Sequence, residues 1–339
     1  MARSLRSVSL ALFGSVIAVA VLATGCSSGT NAGSSTPSKK EVKNLSYIVK
    51  FGSEPYFVAE NKGVQAKSAE LGINTTKIDV KSDANAALSA VDTSIAQGTQ
   101  GMAVVVPDQK IGPAVISKTK AAGIPIVAID DPIKDGAGNP APFVGFDSVQ
   151  IGTQVGEKLA ELVKAAGIKP GPDVKIASIE DQKTPICMDR NNAAQKAFQA
   201  NFPGFSDNNI IHVPYGNDLN SAIDAMNPTI TSNPGVKKWI LYSCNDAGVL
   251  GAWRALSTRG VPAADVFGVG INGDYACQEL GKGAATGFRG SYYTDSAKNG
   301  QVAIQELYEF LHDGKPIPMK TTLPGQFVDS NNYKTVIGC

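Results

Sequence analysis

Histidine is almost missing from this chain, which holds only His212 and His312 among 339 residues. No CxxC spacing occurs either, so metal binding through Cys and His sets is not expected. An excess of either charge is also missing, with 31 Lys and Arg against 30 Asp and Glu. That balance removes the basic footprint of a protein that binds nucleic acid or anionic membrane. The longest apolar run, "VSLALFGSVIAVAVLA", is short for a membrane span of ~20 residues. It follows Arg3 and Arg6 and closes at "ATGC" before Cys26, the order of a bacterial lipoprotein signal peptide over residues 1–26, although Leu22 sits one place early for the usual aliphatic. Cys26 is then the lipidation site, and the Ser/Gly/Thr/Pro-rich residues 27–44 read as a flexible tether. The chain is expected in the cell envelope, on the outer face of the cytoplasmic membrane, held there by lipid alone.

Removing two arginines with the signal leaves 29 basic residues against 30 acidic ones, a formal charge of −1. About 300 mature residues exceed what one core usually holds, so two lobes are expected. Beyond Cys26, the cysteines Cys187, Cys244, Cys277 and Cys339 are a sensible count for an exported protein. Four cysteines allow three connectivities, and spacing does not choose among them.

From residue 45 onward, short apolar runs alternate with amphipathic stretches, the pattern of α/β doubly wound parallel sheets. In the first half the strands are "LSYIVK", "TTKIDV", "GMAVVVP", "IPIVAID" and "PFVGF". Helices are expected over 55–71, 84–97 and 111–122. The pattern restarts after a long helix over 148–166. Its strands are "VKIASIED", "IIHVP", "KWILYS" and "VFGVGI", with helices over 190–200, 219–231, 247–257 and 275–280. Pro228 should leave one of these short or bent.

Ligands of such sheets bind beyond the carboxyl ends of the strands. Those ends carry Lys50, Asp108, Asp130 and Asp131, then Glu180 and Asp181, Asn245 and Asp246, and Asn272. Asp and Asn are also favoured helix N-caps, which accounts equally well for any single one. Their convergence is what needs explaining. A sugar offers hydroxyls that donate and accept, and a faintly apolar ring face. Its site wants carboxylates, fixed cationic donors, amides and an aromatic plane. Lys50, Glu54, Asp131, Arg190, Asn245 and Asn272, with Tyr56 and Phe57, form such a set. The two rings could equally be core, but Pro55 suits the first helical turn and would leave them beside a crevice.

Several segments, "VKFGSEPYF", "VVVPDQKIGPAVISKTKAAGIPIVAIDD", "MDRNNA", "WILYSCNDAGVLGAWRA", "VFGVGING" and "ATGFRGS", occur in an order that resembles periplasmic binding proteins of the ribose-binding type. These proteins feed sugar ABC transporters, and the likeness is greatest to the L-arabinose-binding branch. It runs from about Leu45 to Lys334. It implies two lobes joined by a hinge, 45–146 with about 290–324 and 147–289 with about 325–339, closing on a monosaccharide. It further implies a monomer, an ABC permease as partner, no cofactor and no chemistry. Lys50 and Glu54 would hold hydroxyls, Tyr56 and Phe57 would cover the ring, and Asp131 would take the anomeric hydroxyl beside Asp130. Arg190, Asn245 and Asn272 would complete the set from the second lobe.

The chain departs from that branch at Tyr56, where the branch has tryptophan, and at Phe146 and Cys244, where it has methionine. Arg190 also stands alone where the branch has several arginines. The apolar wall is therefore reshaped, and D-galactose, D-fucose and D-xylose stay open beside L-arabinose. The resemblance also implies two bridges, Cys277 to Cys339 and Cys187 to Cys244, the second beside the sugar.

Three other readings fit less well. "GVGING" satisfies the dinucleotide string GxGxxG, but it falls late in the second half of an exported chain. Glu54, Asp130 and Asp131 could pair as glycosidase carboxylates, yet adjacent residues at a strand end point to opposite sides. A two-lobed repressor would need a helix-turn-helix where this chain has its signal and tether. A sensor that presents its closed form to a receptor uses the same closure as an uptake protein, and the residues do not separate the two.

Overall fold

The computed structural model describes residues 40–339. The signal peptide, Cys26 and most of the tether lie outside the described residues. Among the described residues no helix is long and apolar enough to cross a membrane.

The first half alternates strand and helix: β1 (Asn44–Val49), α1 (Pro55–Leu71), β2 (Asn74–Asp79), α2 (Ala84–Ala96), β3 (Met102–Val104), α3 (Gly112–Ala121), β4 (Ile126–Ile129) and β5 (Phe143–Gly145). The second half repeats it with α4 (Ser148–Ala165), β6 (Val174–Glu180), α5 (Pro185–Asn201), β7 (Ile210–Pro214), α6 (Leu219–Ser232), β8 (Lys238–Ser243), α7 (Asp246–Thr258), β9 (Val266–Asn272), α8 (Ala276–Leu280) and β10 (Phe288–Thr294). The chain ends with α9 (Ser296–Asp313), β11 (Lys320–Thr322), β12 (Gly325–Val328) and α10 (Tyr333–Ile337).

Two six-stranded sheets result, ordered β11-β5-β4-β3-β1-β2 and β12-β10-β9-β8-β6-β7. All pairings are parallel except that of β10 with β12. In each sheet the strand order reverses beside the first strand of its half, β1 and β6. That reversal opens a crevice at the carboxyl ends of the strands. The chain passes between the sheets three times, after β5, after β10 and between β11 and β12. β10 stays in the second sheet to Thr294, and α9 returns to pack on α1.

The apolar runs become strands because both faces of each sheet are covered. β3, β4 and β5 are buried throughout, and their side chains divide between the cores on either face of the sheet. Helix pairs approach closely where one partner has glycine. A Cβ at Gly152 of α4 would run into the Arg190 carbonyl oxygen of α5, so this glycine lets α5 sit where it carries Arg190. A Cβ at Gly300 of α9 would likewise collide with the Glu60 carbonyl oxygen of α1.

Two expectations are corrected. α5 begins at Pro185, five residues before Arg190, because Pro185 supplies the first helical position. α6 is not shortened by Pro228 and runs 14 residues through it. Asp218 caps α6 by accepting from the backbone amides of Asn220 and Ser221, and the buried Ala222 and Met226 anchor it, which offsets one lost backbone bond.

The cysteines pair as Cys187–Cys244 and Cys277–Cys339, with Cα atoms 4.8 and 6.0 Å apart. Both bridges lie in the second half.

Candidate functional site

A cavity of about 320 Å³ opens between the carboxyl ends of the two sheets. Its first-half wall comes from the β1–α1 turn and the end of β4. Lys50 follows β1, and Glu54, Tyr56 and Phe57 open α1. Glu54 holds the N-cap position of α1, yet its side chain makes no capping bond, which leaves the carboxylate to the cavity. Burial raises the Glu54 carboxyl, and Asp218 adds to the rise. Tyr56 and Phe57 meet edge to face with ring centroids 5.2 Å apart. The Lys50 ammonium sits 5.6 Å from the centre of the Phe57 ring.

The adjacent acids at the end of β4 take different partners. Asp131 is buried behind Lys50 and accepts its ammonium at 2.6 Å. Burial raises the Asp131 carboxyl, and Lys50 works against that rise. Asp131 Oδ1 has no partner, but Asp131 is not among the residues lining the cavity. Asp130 does line it, with φ of 58°, a left-handed conformation that Asp tolerates better than most residues. The Tyr56 hydroxyl donates to Asp130 Oδ1 at 2.6 Å.

The second-half wall is built on α5 and the ends of β6, β8 and β9. Arg190 Nη1 donates to the Cys244 carbonyl at 2.9 Å, its Nε has no partner, and no carboxylate among the described residues forms an ion pair with it. The Cys187–Cys244 bridge lines the cavity beside it. Asn245 does two jobs. It lines the cavity and caps α7, its Oδ1 accepting from Gly248 N and the Tyr215 hydroxyl, each at 2.9 Å. Asn272 ends β9 with φ of 96° and also lines the cavity.

Of the sequence-derived set, Lys50, Glu54, Tyr56, Phe57, Asp130, Arg190, Cys244, Asn245 and Asn272 are therefore brought together. Phe146 is not. It packs in the second-half core with Ile151, Tyr242 and Ile271, because burying a phenyl ring under α4 contributes about 1.5–3 kcal/mol. Asp108 and Asp246 proved to be structural: Asp108 caps the turn after β3, and Asp246 accepts the Ser291 hydroxyl at 2.6 Å inside the fold. "GVGING" supplies β9, where Gly270 makes room for Asp246.

Sequence reasoning missed Asp274, Tyr215 and Asn217, which also line the cavity. Asp274 stood two residues past Asn272 and could have been found there. Burial pushes its carboxyl up to about 7, with Glu54 and Asp130 adding and a hydrogen bond to Asn272 opposing. Tyr215 and Asn217 follow β7, whose strand end carried no charge to mark it.

A crevice between the two sheets with hydrogen-bonding groups on both walls, and no group of three or more potential metal ligands among the described residues, has the features of a site for a small polar molecule. Residues 45–316 match the periplasmic binding protein domain, and the chain belongs to that family. It is 33% identical over 297 residues to an ABC transporter L-arabinose-binding periplasmic protein of Azospirillum brasilense, covering 86% of this chain and 88% of the relative. It is 32% identical to the L-arabinose-binding periplasmic protein of Escherichia coli, with the same coverages. The fold is shared with a Caulobacter myo-inositol binding protein at a TM-score of 0.76 and 18% identity, over 89% of this chain and 98% of that one. The family is one of binding proteins, not enzymes.

Proposed function

We propose that the protein captures a monosaccharide, L-arabinose or a close relative such as D-galactose, D-fucose or D-xylose, and delivers it to an ABC permease. The observation that carries this reading is one cavity that gathers carboxylates, Lys50, Arg190, two asparagine amides and the Tyr56–Phe57 edge from both walls. At about 320 Å³ it lies at the low end of the ~300–1,000 Å³ typical of ligand pockets, which suits one sugar ring. The names of the two relatives favour a pentose. In this reading Lys50 and Glu54 fix hydroxyls, Tyr56 and Phe57 cover the ring face, and Asp130, Arg190, Asn245 and Asn272 complete the hydrogen bonds, while Asp131, off the cavity lining, holds the Lys50 ammonium in place. Two lobes, each built on one sheet, close on the ligand. Cys26, lipidated after signal cleavage, anchors the monomer at the membrane.

A thermal-shift screen of pentoses, hexoses and deoxy-sugars tests this, because a ligand that binds only the folded state raises the melting temperature. Calorimetry on Arg190→Ala and Asp131→Ala with the best sugar follows. Each change leaves buried partners unpaired, at about 1–3 kcal/mol or more. Unchanged affinity in both variants overturns the residue assignment, and a screen without any sugar response overturns the ligand class.

A further inference from the structure

Behind the first-half wall lies a buried polar network that direct sugar contacts do not use. Glu60 lies one helical turn after Tyr56 on α1, and both Glu60 and Asn299 of α9 are 0% exposed. The Tyr47 hydroxyl of β1 donates to Glu60 Oε1 at 2.5 Å. The Asn299 amide nitrogen bridges Glu60 Oε2 at 3.3 Å and Asp130 Oδ1 at 2.7 Å. Asp130 Oδ1 also takes the Tyr56 hydroxyl, so one carboxyl of this pair faces the cavity and the other lies wholly inside.

No cation balances the two acids. Lys50 is committed to Asp131, and Arg190 is bound to the Cys244 carbonyl on the other wall. Acceptors outnumber donors as well, since Asp130 Oδ2 and Asn299 Oδ1 are buried without partners. Glu60, wholly buried and joined through the Asn299 amide to the cavity-facing Asp130, has no counter-ion, and its burial opposes ionising both carboxyls. The titratable groups facing Glu60 are Tyr47 on β1, Tyr56 on its own helix and Asp130 after β4, while Asp79 at the end of β2 acts on Tyr47. Asn299, from α9, is neutral. Burial raises the Glu60 carboxyl well above its ordinary value, the Asp130 charge and a hydrogen bond to Asp130 add to this, and Tyr47 and Asn299 oppose it.

We propose that Glu60 is a positioning residue for the cleft: it stays a neutral carboxylic acid, donates its proton to Asp130, and so holds the Asp130 carboxylate in place for ligand hydroxyls. The idea rests on the sugar-binding reading for its consequence, but not for the proton itself. Above the pH at which Glu60 loses that proton, two charges repel behind the wall, and Asp130 loses its register.

Glu60→Gln keeps a neutral donor at this place, whereas Glu60→Ala removes it. In ligand-free melts from about pH 5 to 9, the melting temperature of the wild type relative to Glu60→Gln should fall as pH rises, because the folded chain holds a proton that the unfolded chain has released. By calorimetry with L-arabinose as the probe, wild-type affinity should drop at least about tenfold towards alkaline pH. Glu60→Gln should stay flat within about threefold, and Glu60→Ala should lose at least about tenfold already at neutral pH. A constant melting difference between wild type and Glu60→Gln overturns the proposal. So does a folded Glu60→Gln variant that loses L-arabinose as Glu60→Ala does. If the wild type gives no heat with L-arabinose, the ligand assignment fails, while the melts still decide the proton on Glu60.

Discussion

Asp274 lines a cleft that already holds Glu54 and Asp130, and its carboxyl is pushed up to about 7, first by burial and then by those two charges. A carboxyl raised in the folded state binds a proton that the unfolded chain releases near pH ~4. Its contribution is therefore present at low pH and lost as pH rises from about 4 to 7. Asp274→Asn should flatten that decline and gain about 1–2 kcal/mol over the wild type above pH ~7.5, a figure discounted for the water that reaches the cleft. Chemical denaturation at several pH values checks this, and parallel curves for the two proteins would refute it. At this scale legibility followed charge. Lys50, Glu54 and Arg190 could be read because an ionised group at a strand end or helix start needs a reason. Asp108 and Asp246 looked the same in the chain, and only their partners, the Lys110 amide and the Ser291 hydroxyl, show them to be structural. Glu60 was hidden for the opposite reason. An acid inside a helical pattern reads as a solvated face, and its burial comes from α9, 239 residues away in sequence at Asn299.

The element that sets the second wall is α5, held on one side by the close approach at Gly152 and on the other by the Cys187–Cys244 bridge. That bridge ties the first turn of α5 to the end of β8, where the Cys244 carbonyl receives Arg190. The Cys277–Cys339 bridge joins α8 to the second residue past α10, and neither of its cysteines lines the cavity. Replacing either pair by serine should cost about 2–4 kcal/mol of stability in urea melts. Only Cys187→Ser/Cys244→Ser should also weaken sugar binding, and equal affinities for the two double variants would separate the bridge from the site. Most of the nine strands of the two repeated patterns were legible because they are compact apolar runs, "TTKIDV" being the polar exception. β11 and β12 were not, being three and four residues long with no such run, and existing by pairing with β5 and β10. β10 was lost to the glycine inside "FRGSYYT", where the ladder shifts register at Gly290. α9 did carry a signal, since Ala303, Ile304 and Leu307 are its buried stripe, but the polar residues around them diluted it.

The whole molecule is two sheets connected by three passages of chain, with both disulfides confined to the second half. No covalent bridge among the described residues therefore opposes movement of one half against the other. Under the proposed function the empty cleft would favour an open arrangement. Glu54 faces Asp274 from the opposite wall, and each raises the cost of bringing the walls together without a ligand to donate hydrogen bonds between them. On the same proposal, a sugar that donates to both walls would bind the closed arrangement better and would shift the population by that difference in affinity. Closure belongs to the proposed function and can be read directly in solution. X-ray scattering with saturating L-arabinose should shrink the radius of gyration by on the order of 1 Å from the ~19 Å expected of a compact chain of this size. The contraction should survive reduction of both disulfides, because neither spans the halves, and should be lost in Arg190→Ala, which removes the second wall's fixed donor. A wild-type protein that binds L-arabinose with an unchanged radius would rule out closure, leaving a preformed pocket between two halves that do not move.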